Sequence, residues 1–319
     1  MQNIKYNIPT CNDTAVCLCF FSPSGFIRPK MNFLFIESML KASQIPVFTV
    51  ECAIKDQPPL LQNPTLQVRS ESPLFYKEHL YNLLVPKIPE QYTKLVFLDA
   101  DILFDASNWI DDISKALDTY DTVQPFFLAH WLDVDYKKIL TSNNSTIYAL
   151  KNLNALKNKD IYSYHPGFAW AMRRDFFTKI GGFFDRCLFG TGDSFFAHIW
   201  VVNQTGNNVA LQTCPLIDKE YIDWITHVIP IPKTVTYLPF TIYHLYHGSL
   251  TNRQYNNRYE RINKIVKTNE WDLYFYKNND NVYETKDPIL IDLLIKYFNS
   301  RYEDNCEIVV PKFSFKGVK

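Results

Sequence analysis

Glycine is scarce, with nine residues in a chain of 319, and neither a GxxxxGK(S/T) phosphate loop nor a GxGxxG dinucleotide fingerprint occurs. This weakens a P-loop NTPase or an NAD dehydrogenase, and any bound phosphate must be held by other means. Excess charge of one sign is missing as well. Lys and Arg number 33 and Asp and Glu 33, so the footprint of a general nucleic-acid or anionic-membrane binder is not there. The seven cysteines (Cys11, Cys17, Cys19, Cys52, Cys187, Cys214 and Cys306) are odd in number and include no CxxC pair. That argues against a disulfide framework or a cysteine zinc site and for reduced thiols. No apolar run approaches the roughly 18 residues of a membrane span, and the opening MQNIKYNIPTCND has no charged-then-apolar signal pattern. The expectation is a cytoplasmic protein with no membrane span, in which the N-x-S/T sequons at Asn12, Asn143, Asn144 and Asn203 are chance matches.

What is abundant is aromatic: 16% of the chain, with 20 Tyr, 24 Phe and 6 Trp, suited to an aromatic core or to a cleft that stacks on bases and sugar faces. With 47% hydrophobic and 21% charged residues, the length allows one large α/β domain or two modest ones. The first half alternates short apolar runs with helical patterns, the mark of βα units around a mostly parallel sheet. Strands are predicted at Thr14 to Phe21, at Val47 to Val50 ending in Glu51, at Lys94 to Leu98, at Thr122 to Leu128 and at Tyr237 to Tyr246. Helices are predicted near Lys30 to Ala42, Phe75 to Val85, Leu117 back to a Ser107 cap, and Asn252 to Lys267. A further helix, ILIDLLIKYF, follows the Asp287-Pro288 cap. Ser142 to Lys159 reads as an exposed excursion, and residues 165–200 hold five of the nine glycines.

The string LVFLDADILF, residues 95–104, delivers Asp99 and Asp101 at the carboxyl end of an apolar strand, where open α/β sheets bind ligands. Two such carboxylates can divide work, one meeting a ribose hydroxyl and the other a hard dication such as Mg²⁺ or Mn²⁺, with phosphate oxygens completing its shell. The plain alternative is a solvated acidic turn. A second Asp-x-Asp, Asp133-Val134-Asp135, competes for the metal role and ranks second, with Asp135 a candidate for an acceptor pocket. Asp193, in GTGDS before an apolar helical stretch, reads as an N-cap. His244 and His247, three apart, would point to opposite faces of a strand. His247, beside Gly248, is the candidate third metal ligand. The Gly-Ser-Leu-Thr-Asn that follows opens a predicted helix whose free N–H groups, with Arg253 and Arg258 beside Tyr255, suit a diphosphate clamp. A solvated basic face is the competing reading.

The order of these blocks resembles the nucleotide-sugar-dependent glycosyltransferases of the GT-A fold. FYKEHLYNLLVPKIPEQYTKLVFLDAD is similar to the helix, loop and metal strand of a bacterial and viral group in which Lys77, Glu78 and Asn82 stand at recurring positions. HPGFAWAMRRDFF, IGGFFD and GTGDSFFAH resemble its acceptor and catalytic segment, and YHLYHG its late histidine motif. The resemblance implies a Rossmann-like, mostly parallel central sheet flanked by helices, in a domain over residues 1–250. Its nucleotide half would be about 1–105 and its acceptor half about 106–250, with a C-terminal helical extension over 251–319 packed on it. It implies Mn²⁺ or Mg²⁺ as cofactor and a nucleoside-diphosphate sugar, UDP-sugar foremost, as donor. It further implies a glycan or other hydroxyl acceptor and Asp193 as the base that deprotonates it, with inversion. By position Glu51, Lys77, Asn82, Asp99, Ala100, Asp101 and Arg253 would meet the donor. His165, Trp170, Asp185, Gly192 and Asp135 would face the acceptor.

Two other classes remain at this point. Haloacid-dehalogenase-like phosphatases also place Asp-x-Asp after a strand, but Leu103 stands where they carry Thr or Val. A non-catalytic carbohydrate-binding protein is favoured only by the aromatic content.

Overall fold

The computed structural model describes residues 5–153, 164–205, 218–254, 261–266 and 270–304. In chain order the elements are β1 (Thr14–Phe21), α1 (Ile27–Ala42), β2 (Val47–Ile54), β3 (Leu66–Ser70), α2 (Lys77–Leu84), β4 (Lys94–Leu98), β5 (Ile102–Phe104) and α3 (Trp109–Leu117). There follow β6 (Thr122–Gln124), β7 (Leu128–Leu132), β8 (Ile139–Asn144), α4 (Thr146–Asn152), β9 (Ala169–Arg173), α5 (Arg174–Lys179), α6 (Gly192–Thr205), α7 (Asp218–Val228), β10 (Val235–Tyr237) and β11 (Thr241–His244). A short hairpin, Phe275–Lys277 with Tyr283–Thr285, and the helix Pro288–Asn299 complete the described chain.

Seven strands form the central sheet in the order β10-β6-β9-β4-β1-β2-β3. Every pairing is parallel except the two made by β9, which runs against β4 and β6. The chain is therefore α/β with a mostly parallel sheet flanked by helices, consistent with a GT-A, Rossmann-like arrangement. Alternation along the strands divides the interior in two. Ala15, Cys17, Leu95 and Phe97 point into one buried cluster with residues of α2, α5 and α6. Val16, Leu18, Val96 and Leu98 point into another with residues of α1 and α3. Each large apolar side chain so buried is worth about 1.5–3 kcal/mol relative to exposure.

A smaller four-stranded sheet, β5-β11-β7-β8, stands at the carboxyl end of β4. Two prolines create it. Pro125 separates β6 from β7, and Pro239 separates β10 from β11, so each predicted single strand, Thr122 to Leu128 and Tyr237 to Tyr246, is in fact two strands in two sheets. A proline has no N–H for a central ladder, which is where a chain changes sheets.

Other boundaries also differ from the sequence reading. The first helix begins at Ile27, with Pro29 in its first turn, where no N–H is needed. β2 runs on to Ile54, so Glu51 lies within the strand and not at its end. Asn108, not Ser107, holds the N-cap position of α3. The Ser142 to Lys159 stretch is not a bare excursion, because it holds the end of β8 and the helix α4 capped by Ser145, while residues 154–163 lie outside the described chain. The helix predicted over Asn252 to Lys267 is, where described before residue 255, a single 3-10 turn, Thr251–Arg253, ended by Gln254 at φ 47°. Arg258 and Tyr255 lie outside the described residues.

Asp287 caps the C-terminal helix as predicted, accepting from Leu290 N at 2.8 Å. Replacing Asp287 with Ala is expected to cost about 1 kcal/mol, seen as a lower urea midpoint at unchanged slope.

Candidate active site

The carboxyl ends of β1 and β4, the N-termini of α2 and α6, the end of β11 and the Tyr297–Glu303 region enclose a cavity of about 670 Å³. Asp99, Ala100 and Asp101 form its floor, in the turn that joins β4 to β5. Asp99 N donates to Phe168 O at 2.8 Å and Ile102 N to Asp99 O at 3.2 Å, fixing the turn. The carboxylates have different partners. Asp99 Oδ1 is 3.2 Å from Lys77 Nζ, at the start of α2. Asp101 faces the end of β11: its Oδ2 is 3.2 Å from His247 Nε2 and 3.6 Å from His244 Nε2. Asp101 O also accepts from Leu245 N at 2.8 Å, so backbone and side chain bind the same segment.

His244 ends its strand, and the chain leaves extended geometry before His247. The two rings therefore do not point to opposite faces, as period-two counting predicts. They converge, with Nε2 atoms 2.8 Å apart. Among the described residues Asp101, His244 and His247 form the group able to hold a cation, with one ligand atom from each within 4.8 Å of the others. Burial, and then His247 and Arg253 nearby, hold His244 well below the ordinary imidazole range. Burial and then Arg253 do the same for His247. Both rings are thus neutral and offer lone pairs. Burial, and then the neighbouring Asp99, push Asp101 up to about 7. Its Oδ1 is buried without a hydrogen-bond partner. A dication would satisfy that atom and reverse the cost of the buried charge, and one carboxylate with two imidazoles suits Mn²⁺ better than Mg²⁺. Asp99, expected as a metal ligand, stands outside this group and is paired with Lys77.

Asp193 reaches the cavity from the first turn of α6. It is not the N-cap: Thr191 O accepts the helix's first bonds from Ser194 N and Phe195 N, and the Asp193 carboxylate takes Ser194 N at 2.8 Å. Close packing positions it. A Cβ on Gly167 would lie 2.2 Å from Asp193 Oδ2, and a Cβ on Gly192 would lie 2.2 Å from the Glu78 carboxyl carbon, so a side chain at either position would displace the carboxylate it meets. Thr191 at φ 77° and Phe168 at φ 75° flank the group, left-handed conformations of a kind that cluster at functional sites. Burial and then the neighbouring charges push Glu78 up to about 7, with Asp193 raising it and Lys77 opposing. Burial works against the Lys77 ammonium, but Asp99, Asp193 and Glu78 outweigh it and hold its pKa well above the ordinary value.

Lys77, Ala100, His165 and Arg253 line the cavity as expected. The His165 ring stacks on Phe168 at 3.6 Å between centroids, and burial lowers its pKa to about 4. Other expected residues are engaged elsewhere. Glu51 is buried away from the cleft, its carboxylate accepting from Leu60 N, Leu61 N and Gln67 Nε2, which fastens the loop after β2. Asn82 exchanges two hydrogen bonds with the Phe183 backbone and serves as a clamp between α2 and the 181–183 turn. Trp170 is core, its indole N–H donating to Pro166 O. Asp185 pairs with His79 at 2.7 Å. Gly192 packs on Glu78 and does not line the main cavity. The second Asp-x-Asp closes a turn: Asp133 accepts from Lys137 N and Lys138 N, and Asp135 is exposed beside Lys137.

Sequence reasoning missed Arg28, Arg301 and Glu303. Arg301 and Glu303 line the cavity, and Arg28 Nε donates to Glu303 O at 3.1 Å. The Glu303 carboxylate is 2.5 Å from Arg301, 3.9 Å from Arg253 and 3.6 Å from His247 Nδ1. The sequence reading gave them no role, because they meet only through the fold.

No protein-family model and no curated protein matches the sequence. Similar solved structures include the catalytic domain of Drosophila beta1,4-galactosyltransferase 7 in complex with xylobiose, at 13% identity and TM-score 0.33, covering 60% of this chain and 61% of that one. The chain thus spans less than two thirds of that domain. Glucosyl-3-phosphoglycerate synthase from Mycobacterium tuberculosis, solved with Mn²⁺, UDP-glucose and phosphoglyceric acid, is 12% identical at TM-score 0.33, covering 69% and 80%. A 4-diphosphocytidyl-2C-methyl-D-erythritol synthase from Anaerococcus prevotii is 8% identical at TM-score 0.33, covering 92% and 96%. Likeness of this degree assigns neither activity nor ligand, so function is read from the site itself.

Glu78 gives a pH test of this geometry. A carboxyl whose folded pKa lies above its ordinary 4.5 contributes stability that is full below that value and is lost as pH rises toward about 7. Glu78→Gln, neutral throughout, should therefore gain stability relative to wild type over that window, read from urea midpoints at successive pH values. A flat difference would mean that Glu78 does not titrate there.

Proposed function

We propose that this protein is a metal-dependent glycosyltransferase that moves a sugar from a nucleoside diphosphate, UDP foremost, to an acceptor hydroxyl with inversion. One observation carries the reading. His244 and His247 converge on Oδ2 of Asp101, whose other oxygen is buried without a partner, in a cleft that also holds Asp193. The cleft is large enough for a nucleotide sugar.

Asp101, His244 and His247 would hold Mn²⁺ or Mg²⁺, which when bound supplies positive charge opposite the diphosphate leaving group. At an effective dielectric of 20, each unit charge about 4 Å away contributes roughly 4 kcal/mol. Burial raises the Asp99 pKa and Lys77 opposes that rise while orienting the carboxylate, which accepts from a ribose hydroxyl. Arg253, on the rim, meets phosphate oxygens. Asp193 takes the proton of the acceptor hydroxyl while that oxygen bonds to the sugar carbon and the carbon–phosphate-oxygen bond breaks, its electron pair leaving with the diphosphate. Fixed by Ser194 N and by Gly167, Asp193 is held at one place in the cleft. General-base assistance of this kind is typically worth about 10²–10⁴-fold. Leu103, standing where haloacid-dehalogenase-like phosphatases carry Thr or Val, disfavours the phosphatase reading.

Asp193→Asn should abolish transfer, by a factor of about 10² or more, while nucleotide affinity measured by calorimetry stays near wild type. Surviving turnover would remove Asp193 from the mechanism. In a thermal-shift screen of UDP-, GDP- and dTDP-sugars, the true donor should raise the melting point strongly with Mn²⁺ present and lose that effect with EDTA. Stabilisation indifferent to metal would overturn the metal assignment.

A further inference from the structure

The cation site poses a tautomer problem that the Tyr297–Glu303 region solves. As the site stands, the Nε2 atoms of His244 and His247 lie at hydrogen-bond distance, 2.8 Å. A hydrogen bond between two ring nitrogens needs a proton on one and a lone pair on the other. A cation bound between them needs a lone pair on each. A neutral imidazole has a single N–H, so a His247 that ligates through Nε2 must carry its proton on Nδ1. That N–H then requires an acceptor.

Two groups face Nδ1 of His247. Arg253 Nη2 contacts it directly and also lies 2.6 Å from Nε2, but a guanidinium only donates and cannot accept the Nδ1–H, so it must leave the ring when a cation binds. The other is the Glu303 carboxylate, with Oε1 at 3.6 Å. Glu303 is itself anchored. Its backbone O accepts from Arg28 Nε, Arg301 is 2.5 Å from its carboxylate, and the neighbouring Asp304 carboxylate accepts from Ile27 N and Arg28 N at the start of α1. The same carboxylate lies 3.9 Å from Arg253 and can draw that guanidinium off the ring edge.

We propose that Glu303 is the positioning residue of the metal site: it accepts the Nδ1–H of His247 and so commits Nε2 to the cation. The inference rests on the metal reading above. In the step, the proton on His247 Nε2 is released to solvent and one is taken up at Nδ1, so the ring stays neutral and no net proton is exchanged. A carboxylate behind a ligating histidine fixes the ring's tautomer and orientation, and its loss commonly lowers metal affinity by about 10–100-fold.

The test measures Mn²⁺ binding to the full chain without donor or acceptor, by calorimetry and by the loss of the free-ion electron paramagnetic resonance signal. Glu303→Gln should bind Mn²⁺ about tenfold or more weakly than wild type, measured at a temperature where circular dichroism shows both proteins folded. A wild type that binds no Mn²⁺ would sink the metal reading itself. A wild type that binds, with a Glu303→Gln variant that binds equally well, would overturn this inference alone. A second measurement needs no variant. In ¹⁵N-histidine-labelled wild type, diamagnetic Zn²⁺ should give His247 a protonated Nδ1 and a metal-shifted Nε2. Ligation through Nδ1, or no change of tautomer, would also overturn it.

Discussion

The carboxylate of Asp101, largely withdrawn from water with one oxygen buried and unpartnered, is the constraint around which the rest of the cleft is arranged. An isolated buried charge is among the most expensive things a fold can contain. Its neighbour Asp99 makes matters worse by being a second acid in the same turn. The fold answers the two acids differently. Asp99 receives an ammonium from the start of α2, and Asp101 receives two neutral imidazoles from the end of β11. Neutral rings do not cancel a negative charge, which is why the arrangement reads as a receptacle for a cation and not as a finished ion pair.

That division follows from how the two sheets meet. β4 belongs to the large parallel sheet and β5 to the small one, and the acids occupy the turn where the chain passes between them. β11 lies in the small sheet beside β5, which brings His244 and His247 over the same turn. The prolines that send the chain from one sheet to the other therefore have a chemical result, since without the switch at Pro239 the histidines would continue along the edge of the large sheet.

Much of this was legible in the residues. The apolar run Lys94 to Leu98 ending in acids gave the strand and its loaded end, because a fully buried strand shows as an unbroken apolar stretch. The Asp287 cap was legible because capping is local. What failed was whatever depended on distant partners. Glu51 looked available at a strand end, but its carboxylate is consumed by amides of a loop that the sequence does not place. Trp170 was placed by resemblance among residues facing the acceptor, yet its ring is packed in the core. His244 was set aside by a periodicity that holds only while the strand lasts. Glu303 and Arg301 received no role although their segment, DLLIKYFNSRYED, resembles the family's tail, because they lie 202 and 200 positions beyond Asp101 in the chain.

The anchoring of Asp304 on the first turn of α1 also has a bearing on when the protein becomes competent. A nascent chain that has reached Asn299 already contains both acids, both imidazoles and Asp193. It still lacks Arg301 and Glu303, which form part of the cleft wall, and the cap of its first helix. Completion of the pocket wall and capping of an element made almost at the outset of translation thus fall to the same few residues.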